Sequence, residues 1–174
     1  MSKFFKILLI LAAVIIVGML GLRTWTKSHS PEDATELKKG DLDVKVTYCQ
    51  PAVKGRIIFG ELVPYNQVWR TGANEATVIS FSRDVQVAGS ALKAGKYSLW
   101  TIPTADEWTI IFNSETGQWG TEYGEESDVL SVKVPSEKIE PVTEMFHIGL
   151  QDANENGILM TLEWENTRVE VPIK

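Results

Sequence analysis

The chain has 174 residues, 44% of them hydrophobic and 23% charged, with a formal net charge of −6, one cysteine and two histidines. That composition excludes a disulfide-stapled scaffold, a basic nucleic-acid binder and a low-complexity disordered chain, and leaves a protein held together by packing. The acidity is uneven: residues 31–174 hold all 23 acidic groups and 13 of the 17 basic ones, and 13 minus 23 gives −10, so the body of the chain is repelled by nucleic acid and by anionic lipid surfaces.

Residues 1–22 read as a targeting segment. Lys3 and Lys6 precede ILLILAAVIIVGMLGL, Ile7 to Leu22, a run of 16 uncharged residues. As a helix it is about 24 Å long, a little short of a hydrocarbon core of roughly 30 Å, and flanking Lys6 and Arg23 close the gap by snorkelling. Met19-Leu20-Gly21 is a poor cleavage site and no cysteine follows for lipid attachment. An uncleaved single-pass anchor through residues 7–22 is therefore favoured over a cleaved signal peptide. Lys3, Lys6 and the α-amine before the run, against Arg23 and Lys27 after it, give a slight bias toward an outward-facing body.

Arg23 to Asp41 has few apolar residues and one proline and reads as a polar tether. Its ATELKK could make a helical turn but has no apolar stripe to bury. Residues 42–174 then form a single domain whose dominant period is two, broken every eight to twelve residues or so by Gly, Pro, Asn and Asp. LDVKVTYC aligns Leu42, Val44, Val46 and Tyr48. EWTIIFN aligns Trp108, Ile110 and Phe112, and VLSVKVP aligns Leu130, Val132 and Val134. EMFHIGL and ILMTLEWEN are joined by QDANENG, whose Asn156-Gly157 signals a hairpin. TRVEVPIK ends the chain, with Pro172 placing it at an edge or ending its pairing. With no helical period after the tether, the sequence predicts an all-β fold, an antiparallel β-sandwich of Greek-key or jelly-roll type behind an N-terminal transmembrane helix. Tyr97 in LKAGKYSLW is placed either as a tyrosine corner or as an ordinary inward-facing strand tyrosine.

Chemistry-bearing residues are sparse. His29 falls in the tether, and His147, alternating with Phe146 and Ile148, is a solvent-facing strand histidine without a metal-binding companion. No metal site, cofactor or catalytic residue is assigned. Glu61, Glu75, Glu107 and Glu122 lie near loops or strand ends, so a two-carboxylate hydrolase, for instance Glu75 with Glu61 or Glu122, stands as an alternative. Two long connections stand out, GELVPYNQVWRTGANEAT and SETGQWGTEYGEES. If both emerge at one end of the sandwich, Trp69 and Trp119 flank Arg70, Asn74 and Glu75, with Tyr123 beside them, as a ring platform with polar groups suited to a sugar or to a carboxylate held by Arg70. The structural alternative has Arg70 pairing with Glu75, Asn74 capping its own turn, and Trp69 plugging the core.

KGRIIFGELVPYNQVWRTGANEATVISFS, ALKAGKYSLWTIP, EWTIIFN, QWG and LEWENTRVEVPI together resemble an uncharacterised bacterial family of secreted and envelope proteins, a domain of unknown function, over nearly all of Val44 to Ile173. The resemblance implies an extracytoplasmic β-rich domain and no established activity. The expectation is a protein of the bacterial inner membrane with its C-terminal domain outside, binding an envelope glycan or a protein partner without chemistry. The alternatives are hydrolysis of an envelope glycan, or a purely structural role.

Overall fold

The computed structural model describes residues 3–174. An N-terminal helix, α1 (Lys3–His29), precedes nine strands. They are β1 (Glu32–Lys39), β2 (Leu42–Cys49), β3 (Thr77–Phe81), β4 (Val85–Val87), β5 (Ser90–Leu92), β6 (Gly95–Pro103), β7 (Glu107–Asn113), β8 (Asp128–Asp152) and β9 (Ile158–Ile173). They pair throughout as antiparallel neighbours in the order β1-β2-β3-β6-β7-β8-β9-β4-β5.

The fold is the antiparallel β-sandwich that the alternation predicts, and β8 is what makes two layers from one sheet. Its first part, to Pro135, pairs with β7, and the rest pairs with β9. The register shifts at Lys138/Thr143 and Thr143/His147, where the strand changes layer. The segments VLSVKVP and EMFHIGL are thus one strand, as are ILMTLEWEN and TRVEVPIK. Glu165, at φ 54°, marks the irregularity between the latter two. The β4–β5 hairpin leaves the layer of β3 and adds to β9 in the other, a Greek-key crossing. Pairing between β8 and β9 ends at Val169, and Pro172 lies beyond it, where only its carbonyl is used, by the Ala88 N–H.

The predicted inward faces are buried as read. Val44, Val46, Ile79, Leu99, Ile110 and Phe112 of one layer share a continuous core with Ile148, Met160, Leu162, Val169, Val171 and Ile173 of the other. Past β2 the chain crosses between layers: Val53 N–H donates to Glu144 O, Phe146 N–H to Pro51 O, and Ile148 N–H to the Tyr48 hydroxyl. These bonds close one end of the sandwich.

Three expectations are corrected. Glu32–Lys39, read as part of a tether, is β1, fully paired along β2. Its alternation of exposed and half-buried residues suits an edge strand, and Leu37 reaches the core. The helix runs on to His29 instead of ending with the apolar run. The β8–β9 turn is also longer than a two-residue Asn-Gly turn: Ala153 N–H bonds to Gly157 O across a short 3-10 turn, with Asn154 and Gly157 both at positive φ.

Tyr97 is a tyrosine corner. Its ring is buried and its hydroxyl donates to Lys93 O four residues upstream, at 2.8 Å. Tyr97→Phe is expected to lower the unfolding free energy by about 0.5–1.5 kcal/mol, read as a lower urea midpoint at unchanged slope.

Candidate functional site

The segment Gln50–Ala76, between β2 and β3, covers the end of the sandwich nearest α1, and its last part is tightly wound. Trp69 and Thr101 exchange both backbone bonds, at 2.7 and 2.9 Å, which seats the loop on the edge of β6. The buried Thr71 hydroxyl meets Thr101 Oγ1, and Thr77 Oγ1 donates to Thr71 O at 2.7 Å. Thr71, Gly72 and Asn74 all have positive φ, at 53°, 152° and 60°. A β-branched residue at positive φ is an outlier that surrounding structure must hold in place, and such strain gathers at functional sites.

The second connection, Ser114–Ser127, runs beside the first. Gly120 N–H donates to Asn74 O, Ala76 N–H to Gln118 O, and Glu75 bridges to Trp119. The two loops therefore meet at one end, but the predicted residues divide into three groups. Trp69 belongs to the core's closing cluster. Its indole stacks on Trp164 at 5.7 Å and 15°, and meets Phe146, Phe59 and Trp108 edge-on. Trp119 is 38% exposed and faces α1, lining a cavity with Met19, Leu22, Arg23 and Glu75. Tyr123 packs on Trp100 on the outer face of β6 and donates to Asp128; burial first, and then the bond to Asp128, pushes the phenol well above its ordinary pKa.

Arg70 and Glu75 do not pair with each other. Glu75 is held by Arg23 of α1 at 2.9 Å, with Lys27 at 3.8 Å. Burial raises its pKa, but its own N–H and these two cations outweigh that and hold the carboxyl below its usual range. The Cys49 thiol lies 3.8 Å from Glu75, buried, and burial pushes its pKa up. Asn74 Nδ2 reaches Ser30 O at 3.4 Å, so the loop contacts the chain just after α1. Glu122 accepts from Trp119 N–H and Glu61 is exposed on its own loop.

Of the two charged residues predicted here, Arg70 is the one without an ion pair among the described residues. Its Nη1 donates to Gly120 O at 3.3 Å, and its buried Nε has no hydrogen-bond partner among the described residues. Burial lowers its pKa from the usual value. Its side chain lies between two clefts. One, of about 350 Å³, runs along Pro64, Gln67 and Val68 to Trp100, Gly120 and Tyr123. The other, of about 360 Å³, lies between His29-Ser30, Lys54, Arg56 and Trp164. Leu62, Val63, Trp69 and Arg70 line both.

Sequence reasoning missed Lys54, Arg56 and Trp164. The cations were visible in KGRIIFG, at the start of the same long connection. Trp164 carried no signal, because only the fold brings β9 under the loop.

Residues 30–173 match a family model described as "Protein of unknown function (DUF2911)". No curated protein and no solved structure matches the chain.

Proposed function

The chain belongs to a family of proteins of unknown function, DUF2911, and on that premise we propose that it is a bacterial inner-membrane protein whose extracytoplasmic β-sandwich binds a ligand without chemistry. The anchoring half of this reading is supported by α1, which is long and apolar enough over Phe4–His29 to cross a membrane. The outward orientation follows from the small excess of positive charge before the apolar run.

The binding half is carried by one observation: Arg70 lines two clefts with a guanidinium that no carboxylate among the described residues pairs with. A half-buried cation without a counter-ion costs free energy that folding alone does not return, and a ligand returns it through charge-assisted bonds. The carboxylates do not favour hydrolysis equally, since Glu75 is engaged by Arg23 and Lys27 and Glu122 by a backbone N–H.

The test is a screen of cell-wall and polysaccharide fragments against the full chain, read by tryptophan emission, because Trp69 and Trp164 line the second cleft. A saturable shift that weakens about tenfold or more in Arg70→Gln, at an unchanged unfolding midpoint, is the expected result. Saturation with equal affinity in Arg70→Gln would remove Arg70 from the site.

A further inference from the structure

Beside the end of α1 the domain reverses its charge. Residues 31–174 carry −10 overall, yet the cleft that reaches His29 is lined by Lys54, Arg56 and Arg70 and by no acidic residue. Of the acids nearby, Glu32 is engaged by Lys27 and Glu75 by Arg23 and Lys27, while Glu61 is exposed on the connection and does not line the cleft. Glu144 gives a carboxylate oxygen to the Lys54 backbone N–H. Arg56 is tied to the carbonyls of Ala52 and Val53, which fix its guanidinium without neutralising it. Among the described residues, none of the ion pairs involves Lys54, Arg56 or Arg70. Three uncompensated cations on one cleft attract an anion.

His29 and Ser30 fix the height of that cleft. His29 is seven residues beyond Leu22, where the apolar run ends, about 10 Å along the helix. Headgroups occupy roughly 5–7 Å on each side of the hydrocarbon core, and any tilt of α1 brings the cleft lower. Exposed Trp25 lies between, at the depth where indoles settle. Ile57, Leu62 and Val68 are also exposed on the connection that builds the cleft. A small soluble anion has no use for this apolar surface, whereas the acyl side of a lipid does.

We infer that this cleft binds the phosphate headgroup of an anionic membrane lipid, with Arg70 as the deep contact and Lys54 and Arg56 as the outer ones, an inference that rests on the binding role proposed above. The overall negative charge, which repels an anionic surface from a distance, acts little on a cleft already held at that surface. Acids farther than about 8 Å are largely screened at physiological ionic strength, and the anchor already holds the cleft at the surface, so no long-range approach is required.

The experiment uses the full chain in non-ionic detergent, titrated with short-chain phosphatidylglycerol, short-chain phosphatidylcholine and inorganic phosphate, with tryptophan emission as the readout. Phosphatidylglycerol is expected to bind more tightly than either of the others, and Arg70→Gln to weaken it about tenfold to a hundredfold. Because Arg70 also packs against the second loop, and Arg56 bonds to the Ala52 and Val53 carbonyls, the double variant Lys54→Gln with Arg56→Gln supplies an independent loss when its urea midpoint matches that of the unaltered chain. Equal affinity for the two lipids, or an unchanged affinity in the double variant, overturns the inference. So does phosphate binding without phosphatidylglycerol binding, which would make the source a free anion. A response to uncharged wall fragments with none to phosphatidylglycerol removes the lipid and leaves the binding role standing; silence toward every probe removes both.

Discussion

Trp69→Ala is expected to unfold with a free energy about 3–5 kcal/mol below that of the unaltered chain, a fifth or more of the roughly 5–15 kcal/mol that holds an ordinary domain together. The indole is the hub of five rings, stacked on Trp164 and edge-on to Phe59, Trp108 and Phe146. Its removal leaves a cavity that β-strands fixed by their ladders cannot collapse to fill. Edge-to-face and offset ring pairs add about 0.5–1.5 kcal/mol each beyond the area they bury. Trp69→Phe, which keeps a ring in place, is expected to lose much less. Urea unfolding followed by circular dichroism separates these outcomes. A Trp69→Ala midpoint near that of the unaltered chain would mean that the ring is not a core element and is available to stack on a ligand. The same experiment on Trp119→Ala should move the midpoint little, since that indole is partly exposed beside α1.

The contrast between these two tryptophans shows what was legible in the sequence. Strand alternation is a local property, so Val44, Ile110, Phe112 and Val171 could be assigned to a core from their spacing alone, and they are buried. β1 was not legible because EDATELKK lacks apolar alternation; an edge strand needs to bury only one half-face, and its partner β2 supplies the ladder. The bend of β8 was hidden for a related reason. Residues 136–143 lie between the two apolar alternations VLSVKVP and EMFHIGL and carry no alternation of their own, yet the backbone stays extended while changing layers. Within the candidate site, the sequence indicated that the two long connections matter and could not indicate partners. Arg70 and Glu75 stand five residues apart and do not pair, because the winding of Thr71, Gly72 and Asn74 sends Glu75 toward α1. Lys54, Arg56 and Trp164 join Arg70 across distances in the chain that no spacing argument spans.

Gly120→Ala should be among the most costly of the conservative changes, and its cost should depend on Arg70. An ideal Cβ at Gly120 would stand 2.1 Å from Arg70 Cδ and 2.6 Å from Asn74 O. Gly120 is required here for room, because its N–H bonds to that same Asn74 carbonyl at 2.9 Å and the two backbones cannot part without losing the bond. Overpacking of this kind costs about 1–3 kcal/mol. In an Arg70→Ala background the Cδ contact is gone while the Asn74 contact remains, so the penalty should fall without vanishing. The coupling read from the double-mutant cycle should lie within about 0.5–3 kcal/mol, as for residues in direct contact. Gly120→Ala alone should also displace the guanidinium from Gly120 O and weaken anion binding along with Arg70→Gln. An equal penalty in both backgrounds would mean that Arg70 is not lodged against Gly120, and the basic cleft would then lose its deep contact.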